Sequence, residues 1–292
     1  MNNQKRLGQY FLINKGELRK IVEALDLKAG DTVIEIGPGH GELTEELRIQ
    51  NLEFRVIAVE KDKKLAKSLK EKFANDENIK IIEADILKIL SQIPKSYILN
   101  PKSYKVVGNI PYYITGYLLR ILGELENKPS LIVLTIQKEV AERICGTSQT
   151  YADKTRTNAE KKRKMNLLAA SVQFWAEPEI VDYVLKTDFQ PQPKVDSAII
   201  KLKSITVAMR PHESCYKIGA EEYYKLIKIL FKQPRKTILN NLLFSIKEQA
   251  ASSKTKEKII KILEELKVNP SDRPQNLSID QIKILAKKLK IN

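Results

Sequence analysis

The chain has few of the residues that build disulfide frameworks or metal sites. Its 292 residues include two cysteines, Cys145 and Cys215, and two histidines, His40 and His212. A disulfide scaffold needs more cysteines, and a structural zinc site needs a cluster of closely spaced ligands. We therefore expect no bound metal and a chain that works in the reducing environment of the cytoplasm.

Long apolar segments are also missing. No hydrophobic run approaches the roughly 18 residues that suggest a membrane-spanning helix. The charged stretch at residues 2–6 lacks the apolar region of a secretory signal. Because 42% of the residues are hydrophobic, the chain still has enough apolar surface for one sizeable or two moderate soluble domains. We therefore expect no membrane association.

Negative charge is scarce in the last third of the chain. Residues 190–292 hold 21 Lys and Arg against 10 Asp and Glu, whereas residues 1–189 hold 30 against 26. Most of the net charge of +15 therefore lies in the C-terminal segment. Such an excess indicates a polyanionic partner such as nucleic acid, and the alternative is a lysine-rich solvated surface.

A short turn in the middle of the chain has the groups needed to hold a planar exocyclic amine. In Asn109-Ile110-Pro111-Tyr112, Asn109 offers a side-chain carbonyl and Ile110 a main-chain carbonyl whose direction Pro111 fixes. Tyr112 adds a ring on which a base could stack. Taken alone, the tetrapeptide more often marks a tight turn that caps a sheet.

A glycine-rich turn lies about seventy residues upstream. A strand predicted at residues 32–36 runs into Gly37-Pro38-Gly39-His40-Gly41, and a helix is predicted at residues 42–48. Gly37 and Gly39 would let backbone N–H groups approach a ligand at the helix N-terminus. The dinucleotide fingerprint requires a third glycine where this chain has Glu42, so the sequence disfavours NAD.

Two further predicted strands are followed by acidic residues. Glu60 follows the strand at residues 54–59, and Asp85 follows the strand at residues 79–84. Carboxyl ends of parallel strands share one sheet edge, where carboxylates suit a ribose diol and an adenine amine. Each acid taken singly is better explained as a solvated loop residue. Their succession, followed by the Asn-Ile-Pro-Tyr turn after a strand at residues 104–108, argues against coincidence.

The order of predicted elements indicates the fold class. Strands and helices alternate from residue 32 to residue 145, which predicts an α/β fold with a doubly wound, mostly parallel sheet. Residues 146–164 are polar and end in Lys161-Lys162-Arg163-Lys164, which suggests a mobile loop over the site. Two late strand-like runs follow, and helical periodicity from Glu221 onward predicts a small all-α domain. We place the two domains at residues 1–205 and 206–292.

In combination, these motifs resemble the ribosomal RNA adenine N6-dimethyltransferases, which include the KsgA enzymes of the small subunit and the Erm enzymes of the large subunit. The resemblance spans nearly the whole chain, and the motifs occur in the family's order. The matching segments are KRLGQYFL at 5–12, EIGPG at 35–39, NIPY at 109–112, QKEVAER at 137–143 and FQPQPKVDSA at 189–198.

The resemblance implies a cofactor and a fold. It suggests a seven-stranded Rossmann-like methyltransferase sheet that binds S-adenosylmethionine along its carboxyl edge. Glu60 would hold the ribose hydroxyls and Asp85 the adenine amine, while Gly37 and Gly39 would permit close approach and Asn109 would also touch the cofactor.

The resemblance also assigns three residues outside these strand ends. Tyr10 and Leu12 fall at positions that line the methionine end, although the family usually has Asn or His in place of Tyr10. Phe189 would face Tyr112 across the target base. From the residues alone, Phe189 is equally consistent with a core aromatic beside a proline-rich turn.

Substrate and partners follow from the same resemblance. RNA contacts are expected in the C-terminal domain, at Arg235 and Lys236, and at the basic run 161–164. Residues 273–281 resemble KsgA more than Erm. The expected function is dimethylation of two adjacent adenosines near the 3′ end of small-subunit (16S) rRNA, in rRNA or a pre-30S particle, by a monomer. The alternatives are Erm-type 23S rRNA methylation and a non-catalytic nucleic-acid-binding protein on the same fold.

Overall fold

The structure is a computed structural model that describes residues 9–50, 52–93, 104–146, 165–205, 219–247 and 253–289. These residues form two compact units. The first unit extends to Ala141 and resumes at Ala176–Ser204, and the second combines Glu142–Trp175 with the chain from Ile205 onward. The basic run at 161–164, and most of the loop predicted around it, lie outside the described residues.

The first unit is built on a seven-stranded sheet with the order β4-β3-β2-β5-β6-β9-β7. In chain order the strands are β1 (Phe11–Leu12), β2 (Thr32–Ile36), β3 (Arg55–Glu60), β4 (Ile79–Glu83), β5 (Tyr104–Asn109), β6 (Leu131–Gln137), β7 (Ala176–Val184), β8 (Phe189–Gln190) and β9 (Ser197–Ser204). The five strands β2 to β6 pair in parallel with their neighbours in the sheet, and β9 pairs antiparallel with both β6 and β7. The predicted α/β fold with a mostly parallel, seven-stranded sheet is confirmed.

Helices alternate with the parallel strands and then form the second unit. They are α1 (Lys15–Ala24), α2 (Glu42–Arg48), α3 (Lys63–Lys72), α4 (Ile86–Ile89), α5 (Thr115–Glu124), α6 (Lys138–Cys145), α7 (Leu167–Gln173), α8 (Ala220–Leu230), α9 (Ile238–Lys247), α10 (Ser253–Glu265) and α11 (Ile279–Leu289). Residues with short polar side chains cap the N-termini of several of these helices. Asn14 caps α1, Asp62 caps α3 and Asn166 caps α7, each by accepting main-chain N–H bonds from the first turn.

The strand order fixes where a ligand can bind. From β2 the chain moves outward through β3 and β4 and then returns to the other side of β2 as β5. Connections that leave β2 and β5 in opposite directions open a crevice at their carboxyl ends. All five residues of β2 are buried, as expected for a central strand that is covered on both faces.

Helix α7 packs in the helical core of the second unit. Its residue Ala170 belongs to that core, and the Tyr223 hydroxyl donates a hydrogen bond of 2.9 Å to the Ala170 carbonyl. The Phe174 ring stacks on the Tyr223 ring with centroids 4.1 Å apart. The structure therefore differs from the predicted division at residue 205, because the described residues 142–146 and 165–175 belong with the helices rather than with the sheet.

A buried ion pair stabilises the amino edge of the sheet, away from the crevice. The Lys105 ammonium lies 2.7 Å from the Asp31 carboxylate, and their side chains are 8% and 6% exposed. Lys105 also donates to the Asp26 carbonyl, and the Lys28 N–H donates to Asp31. These additional bonds satisfy a charged pair that would otherwise be costly to bury.

We predict that Lys105→Met destabilises the protein by roughly 3–5 kcal/mol, because it leaves the Asp31 carboxylate buried without its cation. Urea unfolding followed by circular dichroism measures the change. The matched control is Lys67→Met, since Lys67 and Glu71 form a 4.0 Å pair whose side chains are 81% and 70% exposed. That control should change little. Equal stabilities for the two variants would contradict the prediction.

Candidate active site

A cavity of about 320 Å³ opens at the carboxyl ends of the central strands. Gly37 and Gly39 follow β2, Glu60 ends β3, Asp85 follows β4 and Asn109 ends β5, and all five line the cavity wall. The structure thus brings together residues that are up to 72 positions apart in the sequence. The volume of the cavity is in the range of pockets that bind small ligands.

The glycine-rich turn leaves the cavity floor without side chains. Gly37 and Gly39 have positive φ angles of 64° and 62°, which other residues adopt only with strain. A Cβ atom on Gly39 would also lie 2.7 Å from the Phe11 ring, which packs on the His40 ring at a centroid distance of 4.4 Å. Phe11 of β1 therefore packs directly against the turn, and only glycine fits beneath it.

Main-chain N–H groups hold the Glu60 carboxylate in one orientation. The side chain is buried, and one oxygen accepts a 3.1 Å bond from the Gly39 N–H while the other accepts a 2.7 Å bond from the Asp62 N–H. Burial raises the pKa of Glu60, although these backbone bonds oppose the rise. Each oxygen keeps a further lone pair, so the carboxylate remains able to accept a ligand hydroxyl.

Asp85 is also fixed by two donors. Its carboxylate accepts a 3.1 Å bond from the Leu87 N–H at the start of α4 and lies 2.9 Å from the Lys61 ammonium. Burial favours the neutral acid, but the bonds from Lys61 and Leu87 outweigh it and lower the pKa of Asp85. Asp85 therefore stays ionised at neutral pH.

The Asn-Ile-Pro-Tyr turn presents two acceptors together. The Asn109 side-chain N–H₂ group donates a 2.6 Å bond to the Tyr10 carbonyl, which assigns the other end of the amide as the free oxygen. The Ile110 N–H donates to the Thr135 carbonyl at 3.0 Å and anchors the turn on β6. Within the described part of the chain, no donor contacts Asn109 Oδ1 or the Ile110 carbonyl. Both remain available to an amine.

Two contacts fix the Tyr112 ring. Its hydroxyl forms a 2.9 Å hydrogen bond with the hydroxyl of Ser197, which is fully buried in β9. Its ring lies 5.5 Å from the Tyr10 ring, with the planes tilted by 35°. Burial raises the pKa of Tyr112, so the phenol stays neutral. A neutral ring that is held by two contacts beside the two acceptors is suited to stacking on a planar base.

Leu12 and Phe189 do not line the cavity. They pair across the small β1–β8 sheet, and both are buried in the hydrophobic core of the first unit. Successive residues of a strand project to opposite faces, and directly opposed residues of an antiparallel pair project to the same face. Because Phe11 faces the glycine turn, Leu12 and its partner Phe189 face the other way, toward the core. The structure agrees with the core alternative for Phe189 and places Leu12 behind, not in, the cavity wall.

Several cavity residues were not predicted from the sequence. Gln9, Phe11, Lys61 and Tyr113 all line the cavity. Residues just beyond the carboxyl ends of parallel strands were predicted to line the site, and Lys61 could have been found in this way because it directly follows Glu60. Phe11 and Tyr113 had only their proximity to predicted site residues as a signal.

The predicted RNA-contacting residues of the second unit lie on its surface. Arg235 and Lys236 are exposed in the turn between α8 and α9. The buried Asn241 side chain stabilises this turn by donating to the carbonyls of Gln233, Lys236 and Thr237. The turn therefore presents two exposed cations, and the Lys236 ammonium also lies 5.5 Å from the centre of the Phe244 ring.

The described residues contain no group of three or more His, Cys, Asp or Glu side chains placed to hold a metal ion. None of their helices combines the length and apolar character needed to cross a membrane.

Fold and cavity together define an α/β methyltransferase. The family model described as Ribosomal RNA adenine dimethylase matches residues 1–286. The chain therefore belongs to the ribosomal RNA adenine dimethylase family, and the predicted enzyme class is confirmed.

Individual relatives support this assignment. The chain is 39% identical to the Ribosomal RNA small subunit methyltransferase A of Dehalococcoides mccartyi over 282 residues, which cover 97% of this chain and 87% of that protein. Its structure is similar to a dimethyladenosine transferase from Plasmodium falciparum, with a TM-score of 0.70, 27% identity and coverage of 96% and 98%. The 23S rRNA methyltransferase ErmE gives a TM-score of 0.68, 26% identity and coverage of 96% and 100%.

A buried acid ties the two ends of the glycine turn together. Glu35 lies in the middle of β2, is 1% exposed and accepts a 2.7 Å bond from the Thr44 hydroxyl of α2. Its other oxygen has no hydrogen-bond partner among the described residues. Burial raises the pKa of Glu35 to about 8, and the nearby Glu42 and Glu60 carboxylates add to this rise. The hydrogen bond from Thr44 acts in the opposite direction and lowers the pKa.

We predict that Glu35 makes folding stability fall as pH rises. Between about pH 4.3, where the unfolded side chain ionises, and about pH 8, where the folded one does, the folded state binds more protons. Stability should therefore decline across that window by at most about 1.4 kcal/mol per pH unit from this group. Urea unfolding from pH 5 to 8 should show a flatter slope for Glu35→Gln. The exposed control Glu83→Gln should keep the wild-type slope, and an unchanged slope in Glu35→Gln would refute the assignment.

Proposed function

We propose that this chain uses S-adenosylmethionine to dimethylate the N6 amines of two adjacent adenosines near the 3′ end of small-subunit (16S) rRNA. One observation carries the proposal. Asn109 Oδ1 and the Ile110 carbonyl lie on one turn beside the fixed Tyr112 ring, and neither accepts a bond from a described donor. Two acceptors beside an aromatic face match an aromatic amine with two N–H bonds.

The cavity residues fit S-adenosylmethionine. The Glu60 carboxylate has lone pairs for the ribose hydroxyls, and the ionised Asp85 carboxylate can accept the adenine amine beside Lys61. A Cβ atom on Gly37 would meet nothing within 4 Å, so the turn is open there to the methionine end. When bound, S-adenosylmethionine supplies a methyl group on a sulfonium centre, which leaves without acid assistance.

The chain's own groups prepare the amine. The lone pair of the adenine N6 atom is delocalised into the ring, so the nitrogen must become pyramidal before it can attack. When Asn109 Oδ1 and the Ile110 carbonyl accept hydrogen bonds from the two N–H groups of this amine, they stabilise the pyramidal geometry and the positive charge that develops on nitrogen. Neither acceptor is a base, so the proton is lost after transfer. Because Tyr112 holds the base by stacking, most of the acceleration is an orientation effect.

The relatives favour the small subunit as the source of the substrate. The D. mccartyi protein is named for the small ribosomal subunit, and it is more similar in sequence than ErmE, which is named for 23S rRNA. Small-subunit rRNA, free or in a pre-30S particle, is thus the proposed partner of a monomeric, cytoplasmic enzyme. Arg235, Lys236 and the basic run 161–164 are proposed to contact its phosphates.

The target can be tested in cells that lack their own small-subunit adenine dimethyltransferase. Expression of this chain should restore N6,N6-dimethyladenosine in 16S rRNA, measured by mass spectrometry of rRNA fragments. Methylation of 23S rRNA instead would support the Erm-type alternative, for which the similarity to ErmE is the observation in favour. Absence of both products despite stable expression would support the non-catalytic nucleic-acid-binding alternative.

We predict that Asn109→Ala lowers kcat by roughly 10²–10³-fold, because it removes an acceptor that acts most strongly in the transition state. Single-turnover methylation of undermethylated small-subunit RNA measures this, and calorimetry gives the affinity for S-adenosylmethionine. Glu60→Gln is the contrasting variant, since it should weaken cofactor binding by more than it lowers the rate at saturating cofactor. Near-normal turnover in Asn109→Ala would leave the turn with only a structural role.

A further inference from the structure

We infer that a surface beside the cavity binds the nucleotides that neighbour the target adenosine in the RNA chain. This surface, called the tyrosine surface below, consists of Tyr113, Tyr117 and Arg120. The inference rests on the proposed function, because it assumes that an RNA base enters the cavity. It adds a site for RNA on the sheet-containing unit, where neither Arg235 nor Lys236 lies.

Exposed aromatic side chains are concentrated here. Tyr113 is 65% exposed and Tyr117 is 48% exposed, and Phe244 is the other large aromatic that is exposed among the described residues. Tyr113 also lines the cavity, whereas Tyr112 beside it is packed and hydrogen-bonded. The tyrosine surface therefore runs from this cavity, at Tyr113, to a second cavity that Tyr117 and Arg120 line, and the two cavities share Leu87 in their walls.

Helical geometry places these groups side by side. Tyr113 lies in the turn that leads into α5, Tyr117 follows four residues later, and Arg120 follows after three more. The Arg120 guanidinium lies 4.7 Å from the centre of the Tyr117 ring. A Cβ atom on Gly116 would meet nothing within 4 Å, so no neighbouring group covers the helix at this point.

The chemistry of the tyrosine surface fits unpaired nucleotides. Aromatic rings and guanidinium planes both stack on bases, and any base offers a face for this contact. Arg120 pairs with Glu124 at 3.9 Å, but both side chains are 59% exposed, so that pair is weak and the guanidinium is free to reach a phosphate. The Lys61 ammonium, 64% exposed at the cavity wall, adds a second cation nearby.

The reaction itself requires such a surface. A base must leave its helix, or be unpaired already, to enter an enclosed cavity. The nucleotides on either side then lose a stacking partner and lie directly outside the mouth. Stacking of a neighbouring base on Tyr113 or Tyr117 replaces the lost contact and keeps the strand extended across α5.

Fluorescence of a modified RNA tests the inference. The probe is a fragment of the 3′ end of 16S rRNA in which 2-aminopurine replaces the nucleotide next to the target adenosine. Wild-type protein should quench this fluorescence by stacking, and Tyr117→Leu should lose the quenching and bind about 5- to 100-fold more weakly. Tyr117→Phe should behave as wild type, because a phenyl ring stacks equally well. The control Arg55→Ala removes an exposed cation at the opposite edge of the sheet and should leave the quenching intact.

A second pair of variants changes the charge without disturbing the packing. Gly116→Glu and Gly116→Gln both fit in the open space, and both replace a helical glycine with a better helix former. Gly116→Glu should weaken RNA binding more than Gly116→Gln does, because its carboxylate repels the phosphates. The difference in RNA affinity between the two variants should become smaller as the salt concentration is raised. Both variants should melt at or above the wild-type temperature, and both should keep the wild-type affinity for S-adenosylmethionine.

The outcomes separate the two proposals. If the wild-type protein methylates RNA but Tyr117→Leu binds and quenches like wild type, the tyrosine surface does not contact RNA. Equal losses in Tyr117→Phe and Tyr117→Leu would rule out stacking. A change in oligomeric state with unchanged RNA affinity would assign the surface to a protein contact instead. Quenching by a wild-type protein that transfers no methyl group would overturn the proposed function and support the surface.

Discussion

The close approach of β2 and β5 is the constraint on which the site depends. Ile36 at the end of β2 is paired with Gly108 of β5, and a Cβ atom on Gly108 would lie 2.7 Å from the Ile36 carbonyl. A larger residue at position 108 would push the strands apart. Because the glycine turn follows Ile36 directly and Asn109 follows Gly108 directly, the same pairing sets the distance between the two halves of the site. The mainly apolar, fully buried residues of β2 stabilise this strand pairing.

The N-terminal segment completes the site through its backbone as much as through its side chains. The Tyr10 carbonyl, not its hydroxyl, accepts the bond from the Asn109 amide and so orients the free Asn109 oxygen. A main-chain carbonyl is present whatever residue occupies position 10, so this contact does not depend on the side chain there. The Tyr10 ring then makes a different contribution, since it packs against Tyr112. Pairing of β1 with β8 holds this segment in place, because Leu12 and Phe189 are buried together beneath it.

Much of the fold and about half of the site geometry followed from local sequence patterns. The strand at residues 32–36 and the helix at residues 42–48 have the predicted bounds, since runs of apolar residues and flanking glycines are local signals. The convergence of Glu60, Asp85 and Asn109 followed from the rule that parallel strands end at one edge. Leu12 and Phe189 were placed differently because their direction depends on pairing between segments far apart in sequence. Likewise α7 has only seven residues, which are too few for their pattern to reveal which core buries Ala170.

The tyrosine inside the site and the two tyrosines at its mouth differ in their exposure and in their contacts. Tyr112 is held by Ser197 and Tyr10, Tyr113 lines the cavity with most of its surface exposed, and Tyr117 contacts solvent and Arg120. The transfer of a methyl group requires the target nitrogen to be held within a fraction of an ångström, so the ring that positions it must not move. The neighbouring nucleotides undergo no chemistry and differ in sequence, so an adaptable surface serves them better. This short segment of chain therefore supplies a hydrogen-bonded aromatic ring for the reacting base and exposed aromatic rings for the strand that carries it.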